Sequence, residues 1–314
     1  MKKIFCVGEL LIDFVAEKQG SDLSKAKEFT KKAGGAPANV ACAISRLGGT
    51  SFFIGCVGDD PFGHFLSTTL KDIKVDTSLL QLSKTFTTLA FVSLAENGER
   101  DFVFSRGADK ELTYDNSVKN AIENNILHLG AATSFLGGPL ENTYSRYFFD
   151  ALTHDTFISF DPNYRGDLWK NNTEAFIKKC TSFIEKSHLC KFSAEEAQLI
   201  SGKEDLNEAC DFLHGLGAKI ITVTLGGEGT LLSTPNSKEV ITSIKVTPVD
   251  TTGAGDAFIG CLLYQIAQLE DLNQIFDNTS LLAEMVKVAN KAGAITTTNY
   301  GAIESLPFLT QLQN

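Results

Sequence analysis

The residues best suited to chemistry stand together late in the chain, in Asp250-Thr251-Thr252-Gly253-Ala254-Gly255-Asp256, directly before the apolar run AFIGCLLYQIA. Three small residues let the backbone tighten where a helix begins. The first N–H groups of a helix have no intrahelical partner and point outward with the positive end of the dipole, so this turn is a cradle for an anion. It is not one of the common phosphate loops. No G-x-x-x-x-G-K-[ST] occurs, since Gly202-Lys203 runs into Glu204, and the third glycine of a G-x-G-x-x-G would fall on Phe258. The Asp256 carboxylate would repel a phosphate parked there, yet it suits a phosphoryl group in transit if Asp256 accepts a hydroxyl proton as the group passes. Taken alone, the same residues also fit a plain glycine turn whose aspartate complements the helix dipole.

Two further constellations weigh against that plain reading. Gly34-Gly35-Ala36-Pro37-Ala38-Asn39 opens a second helical stretch. Its glycines permit close backbone approach to a polar ligand, and Asn39 can both donate to and accept from hydroxyls. Asp161-Pro162-Asn163-Tyr164-Arg165, followed by Leu168-Trp169, ends an apolar strand. There Arg165 offers a fork of donors matched to phosphate oxygens, the alternative being a surface arginine paired with Asp167. The five histidines, at 64, 128, 154, 188 and 214, are scattered without a Ser or Cys partner in any motif and read as surface or packing residues.

Short apolar runs must position these residues. IFCVGELL, SFFIGCVG, NILHLGAA, TFISFDPN, SHLCKFS and KIITVTLG each read as a strand too continuously apolar to be half exposed, the pattern of a parallel sheet covered on both faces. Helical periodicity lies between and after them, at 37–47, 61–73, 139–152, 172–186, 205–215, 254–269 and 279–297; the first starts at Pro37 and stops at Gly48-Gly49. This alternation predicts a doubly wound α/β sandwich whose ligands sit at the carboxyl ends of the strands. Residues 13–33 and 85–106 lack helices, and the second segment reads as a hairpin turning at Glu96-Asn97-Gly98. They predict a small appended β-sheet near Asp13.

Composition narrows the partners. The chain has 314 residues and a formal charge of −10, so its surface repels phosphodiester backbones and anionic membrane faces, and nucleic acid and membrane are not expected partners. Seven cysteines with no C-x-x-C pair read as reduced, mostly buried thiols of a cytoplasmic protein. The N-terminal Met1-Lys2-Lys3 and the apolar run after it imitate a signal peptide, but Glu9 and Asp13 interrupt that run, and no stretch approaches the ~20 apolar residues of a membrane span.

GGAPANVA with Gly48 and Gly58 behind it, together with DTTGAGDAFIGCLL, closely resembles the two motifs of the ribokinase-like (PfkB) sugar kinase family. Asp13, the 85–106 hairpin and the C-terminal GAIESLP fall in the family's order, so the resemblance covers essentially the whole chain; Cys261 departs from the usual Gly or Ala. It implies a mostly parallel central sheet in a single α/β kinase domain over 1–314, with a small β-sheet lid inserted at approximately 13–33 and 85–110.

The resemblance further implies transfer of the γ-phosphate of ATP to a sugar hydroxyl. Asp256 would be the base, the N–H groups of Gly253, Ala254 and Gly255 the hole for the transferring phosphoryl, and Arg165 a further counter-charge. Asp13, Gly34, Gly35, Asn39, Asn163 and Arg106 would face the sugar. Thr224, Gly226 and Gly229 would lie along the nucleotide, with Asn290 near the adenine. The family's Asn-x-x-Glu becomes Ser193-Ala194-Glu195-Glu196, so Glu196 is expected to serve Mg2+ through water. Asp250 and Thr252 match positions where many members hold a monovalent cation such as K+.

Asp161-Pro162-Asn163-x-Arg165 with Leu168-Trp169, GGAPANVA and GDDPFG look like the fructose-phosphorylating branch, where 2-keto-3-deoxygluconate kinases tend to carry Asp-Leu-Asn. The exposed lid implies a homodimer formed through it. Rival readings are 2-keto-3-deoxygluconate, a nucleoside or another sugar as acceptor, and a non-catalytic sugar- or nucleotide-binding protein. A nicotinamide dehydrogenase is disfavoured because no G-x-G-x-x-G follows the first strand.

Overall fold

In a strand, successive side chains point to opposite faces, so a strand covered on both sides is apolar throughout. Ile4-Phe5-Cys6-Val7 shows this directly: Ile4 and Cys6 join one hydrophobic cluster, Phe5 and Val7 another on the opposite face. The computed structural model describes residues 1–17, 20, 22–94, 100–170 and 172–313. Its strands are β1 (Ile4–Val7), β2 (Leu11–Ala16), β3 (Phe29–Gly34), β4 (Ser51–Gly58), β5 (Leu80–Ser83), β6 (Leu89–Leu94), β7 (Arg100–Ser105), β8 (Ile126–Gly130), β9 (Phe157–Asp161), β10 (Leu189–Ser193), β11 (Ile220–Thr224), β12 (Thr230–Thr234) and β13 (Ser237–Ile241).

Nine of these form one sheet in the order β13-β12-β11-β10-β9-β8-β1-β4-β5. The seven from β11 to β5 run parallel, and only the β12 and β13 edge is antiparallel. Helices Ala36–Arg46, Ala254–Ile266 and Thr279–Thr296 cover one face, and Gly138–Leu152, Thr173–Ile184 and Leu206–Leu216 the other. This is the ribokinase-like α/β sandwich. Together with Pro61–Asp72, these are the seven helices expected from periodicity, each end within three residues. No helix among the described residues is long and apolar enough to cross a membrane.

One expected strand is two. IFCVGELL breaks after Val7, and Leu11 begins β2 in a separate sheet. The Pro37 ring packs over the ends of β1 and β8, in the space where side chains at Gly8 and Gly130 would stand. Periodicity also missed β5, the β12–β13 edge hairpin and the short helix Ala194–Ser201. SKEVI, the outermost strand, is largely exposed and carries no continuous apolar signal.

The separate sheet has the order β3-β2-β6-β7. Opposite Asp13 stand Lys32 and Ala90, and opposite Ala90 stands Phe104. Alternation therefore places Leu11, Asp13, Ala90, Phe102 and Phe104 on one face, and Phe14 and Phe91 on the other, where Phe14 meets Phe62 edge to face. β6 and β7 pair from Leu89 to Arg100 as a hairpin, while its expected turn at 96–98 lies outside the described residues.

Buried polar side chains pin this sheet to the main domain. Asp60 caps the Pro61–Asp72 helix through Phe62 N and Gly63 N, and also accepts from Thr87 N at 2.7 Å and Thr87 Oγ1 at 2.8 Å. These bonds hold its carboxyl below the usual carboxylate range despite partial burial. Beyond β7, Arg106 donates to Asp109 Oδ2 and to the carbonyls of Thr133, Leu136 and Gly137.

Candidate active site

Parallel strands bring all their carboxyl ends to one rim of the sheet, and the cavity of about 640 Å³ lies there, beneath the small sheet. Glu9 follows β1, Thr133 follows β8, Asn163 to Arg165 follow β9, Lys191 and Ser193 end β10, and Thr224 ends β11; all line it. Leu11, Asp13, Ala90, Phe102 and Phe104 roof it from the small sheet, and Gly35, Asn39, Thr252, Gly253, Gly255 and Asp256 come from two helix starts.

Those helix starts have glycine caps in conformations other residues rarely adopt: Gly35 at φ 110° and Gly253 at φ 80°. Neither helix has a side-chain cap, which leaves first-turn N–H groups available to a ligand. Asn39 Nδ2 donates to Asp256 Oδ2 at 2.8 Å, joining the two starts. The helices approach closely one turn further along. A Cβ added at Gly260, four residues after Asp256, would stand 2.6 Å from the Cβ of Ala43, four residues after Asn39. Residues four apart share a helix face, so the small-residue crossing sets the spacing of the Asn39–Asp256 pair above it.

Charge is concentrated under the Gly253–Asp256 turn. Lys191 Nζ pairs with Asp161 Oδ2 at 3.1 Å. Asp161 also accepts from Asn163 N, holding the turn after β9, where Asn163 has φ 46°. Burial raises the Asp256 carboxyl above its ordinary range, opposed by the Asn39 hydrogen bond and by the charges of Lys191 and Arg165. Arg165 is exposed at the cavity wall, and Asp167, its sequence-level alternative partner, pairs instead with Lys170.

Glu196 is fixed on both oxygens. Oε1 accepts from Tyr164 N and Oε2 from Ser193 N, each at 2.7 Å. Ser193 Oγ in turn accepts from Glu196 N, completing a capping box. Serine in the asparagine position thus secures the start of the Ala194–Ser201 helix, and Glu196 ties that helix to the Tyr164 loop.

Four buried polar atoms on the cavity wall find no partner among the described residues: Glu9 Oε2, Asn39 Oδ1, Thr133 Oγ1 and Asn163 Nδ2. Leaving buried groups unpaired costs about 1–3 kcal/mol each, so they are groups a polar ligand would satisfy. They include acceptors, a donor and a hydroxyl, a set suited to several hydroxyl groups at once. Glu9 Oε1 is engaged by Ala36 N, and burial pushes this carboxyl up to about 7.

Several expected residues have contacts within the frame. Arg106 directs its guanidinium to loop carbonyls and Asp109, away from the cavity lining. Asn290 accepts from Thr230 Oγ1 and donates to Ile241 O, tying the Thr279–Thr296 helix to the β12–β13 edge. Gly34 makes room for the Asp13 carboxylate, which a Cβ would strike. Ala254 N turns back to Thr251 O at 3.3 Å, so Gly253 and Gly255 are the members of that trio on the cavity wall.

Gly226 and Gly229 flank a short 3-10 turn after β11, off the lining, and Gly229 packs against the Ile241 backbone. Asp250 accepts from Thr252 N and Oγ1 and from Gly301 N, fixing the loop before the cradle. Sequence reading missed Glu9, Thr133 and Lys191. Glu9 and Lys191 were legible as charges inside apolar strand runs, a placement that needs a partner or a task; Thr133 gave no such signal.

No group of three or more potential ligand side chains stands together among the described residues.

A profile of the pfkB family carbohydrate kinases matches residues 1–309. A probable fructokinase-4 of Arabidopsis thaliana is 38% identical over 317 residues, covering 99% of this chain and 95% of the relative. The fructokinase of Vibrio cholerae O395, solved with fructose, ADP and calcium ion, superposes with a TM-score of 0.85 at 33% identity, covering 100% of this chain and 98% of that one. The aminoimidazole riboside kinase of Salmonella enterica, solved with aminoimidazole riboside and an ATP analog, gives 0.82 at 30% identity over 99% and 98% of the two chains. With the motifs, the fold and the cavity in agreement along the whole length, this chain belongs to the pfkB family of carbohydrate kinases and is a sugar kinase.

Proposed function

We propose that the protein phosphorylates D-fructose to fructose 6-phosphate at the expense of ATP. The observation that carries this reading is Asp256, set in the first turn of an uncapped helix and hydrogen-bonded to Asn39, in one cavity with the unpartnered polar atoms. The sugar lies between Asp13, Gly34-Gly35, Asn39, Asn163 and the small sheet, with Glu9 and Thr133 completing its polar surroundings. ATP lies along the strand ends near 193–196 and 224–229.

The Asp256 carboxylate takes the proton of the 6-hydroxyl as that oxygen bonds to the γ-phosphorus, the bond from phosphorus to the β–γ bridging oxygen breaks, and ADP leaves with the electron pair. Arg165 and the N–H groups of Gly253 and Gly255 balance the charge that develops on the phosphoryl oxygens. Glu196 would reach, through water, an Mg2+ ion carried on the nucleotide, which would supply further neutralisation. The small sheet excludes water that would intercept the phosphoryl group. From the family pattern, K+ belongs at the Asp250–Thr252 loop, and a second protomer covers the exposed part of the small sheet, where Val15 is 40% exposed. Seven unpaired buried thiols support a cytoplasmic setting.

A panel of acceptors with coupled ADP detection tests the assignment. Fructose should give the highest kcat/KM. Preference for 2-keto-3-deoxygluconate or for a nucleoside, the acceptor class named with the Salmonella enterica relative, would replace fructose. Fructose binding without ADP formation would return the chain to a binding role.

A further inference from the structure

The scheme above leaves one buried charge unused. Lys191 Nζ and Asp161 lie almost wholly out of solvent, their side chains 9% and 3% exposed. The ammonium sits directly beneath the catalytic turn, because a Cβ added at Gly255 would stand 3.2 Å from Nζ. Asp161, Glu196 and Asp256 all act on it, and together they raise its proton affinity against the opposing effect of burial.

Three carboxylates therefore surround one buried cation, and they are not equivalent. Asp161 holds the ion pair and the Asn163 N–H. Glu196 accepts one backbone N–H on each oxygen. Asp256 has the Asn39 amide, and otherwise depends on charge for its ionised state.

From the elements packed around it, Asp256 meets Asn39 on the Ala36–Arg46 helix, Lys191 on β10, and Asp161 and Arg165 at and after the end of β9. Asp13 on β2 and Glu9 after β1 line the same cavity. The Thr279–Thr296 helix presents the uncharged Gly293 to this turn, where a Cβ would stand 3.0 Å from Ala254 O. Among the described lining residues the cations are thus Arg165, exposed at the wall, and Lys191, fixed by its ion pair.

We propose that Lys191 is the positioning residue of this site: its buried ammonium, held by Asp161 beneath Gly255, is the fixed counter-charge of the neighbouring Asp256 carboxylate between turnovers. The proposal rests on reading Asp256 as the base. A lysine serving only as a phosphate ligand would act on ATP affinity and leave the titration of Asp256 alone, so the two roles separate experimentally.

The test follows kcat/KM for fructose from pH 5.5 to 9.5, together with the carboxyl carbon resonance of Asp256 in ATP-free protein, assigned by its loss in Asp256→Asn. In Lys191→Met both midpoints should move up by about one to three pH units, with activity recovering at alkaline pH, since an opposite charge at this range shifts a carboxyl by that much. Lys191→Arg should keep them within about half a unit of the parent.

Unmoved midpoints in Lys191→Met, with a tenfold rise in the KM for ATP, would overturn the proposal. If Lys191→Met does not fold by circular dichroism, Lys191→Gln decides, and unmoved midpoints there overturn it. Full activity in Asp256→Asn would instead remove the base assignment, while the carbon titration would still report whether Lys191 and Asp256 are coupled.

Discussion

Asn39 Nδ2 donates to Asp256 Oδ2 across 2.8 Å although the two residues are 217 positions apart in sequence. The bond fixes one carboxylate oxygen and leaves the other to the cavity, and it leaves Asn39 Oδ1 without a partner on the same wall. A hydroxyl seated at Asn39 would therefore be next to the Asp256 carboxylate. The same amide partly offsets the effect of burial on Asp256, which would otherwise favour the neutral acid.

Replacing Asp256 by Asn keeps the shape and much of the hydrogen bonding but removes the proton acceptor. Turnover should fall by about 10² to 10⁴, the usual worth of general base catalysis, while fructose binding measured by calorimetry changes only a few-fold. Turnover within tenfold of the parent would remove Asp256 from that role.

Glu9→Gln should separate binding from stability. The folded carboxyl titrates at about 7, above its ordinary 4.5. Its burial thus costs stability in full above pH 7, and the cost disappears as pH falls through 7 toward 4.5. Glutamine still accepts from Ala36 N without carrying charge, so urea unfolding at pH 8 should show a gain of up to about 3 kcal/mol that shrinks by pH 5.5. The KM for fructose should rise at the same time, because the free acceptor oxygen has become an amide nitrogen. A loss of stability at pH 8 would show that the charged form is compensated in the folded protein.

Asp60→Ala should loosen the small sheet. It removes a helix cap and the two bonds that hold Thr87, a loss of roughly 2–4 kcal/mol in stability. Thr87 leads into β6, whose Ala90 roofs the cavity, so the KM for fructose should rise more than kcat falls. An unchanged KM in folded Asp60→Ala protein would mean that this joint does not govern closure over the sugar.

How much of this was legible in the sequence depended on the range of the cause. The parallel sheet and seven helices were legible because double burial and helical period are written locally, in runs such as IFCV and at Pro37 and Gly253. The cradle and Asp256 were legible because a helix start needs only neighbouring residues. The hydrogen bonds of Arg106 and Asn290 were not legible, because their partners, the 133–137 loop carbonyls and the β12–β13 edge, are set by tertiary packing. Lys191 lies inside the run SHLCKFS, and only its ion pair with Asp161 and the approach of Gly255 give it a task.

The helix crossing beneath the Asn39–Asp256 pair yields the most discriminating prediction. A methyl group at Gly260 would stand 2.6 Å from Ala43 Cβ and 3.1 Å from Val40 O, so Gly260→Ala must push the two helices apart. Overpacking of this kind typically costs about 1–3 kcal/mol. Displacement at that level lengthens the Asn39–Asp256 bond one turn above, and a misplacement of about 1 Å can reduce rate by ~10². Ala43→Gly alone removes one methyl and should be mild. The double variant Ala43→Gly with Gly260→Ala exchanges the two methyl positions and relieves the closest clash, so it should recover more stability and turnover than the single effects sum to. Additive losses in this double-mutant cycle would show that the crossing does not set the catalytic pair; recovery of melting temperature without turnover would assign the crossing to stability alone.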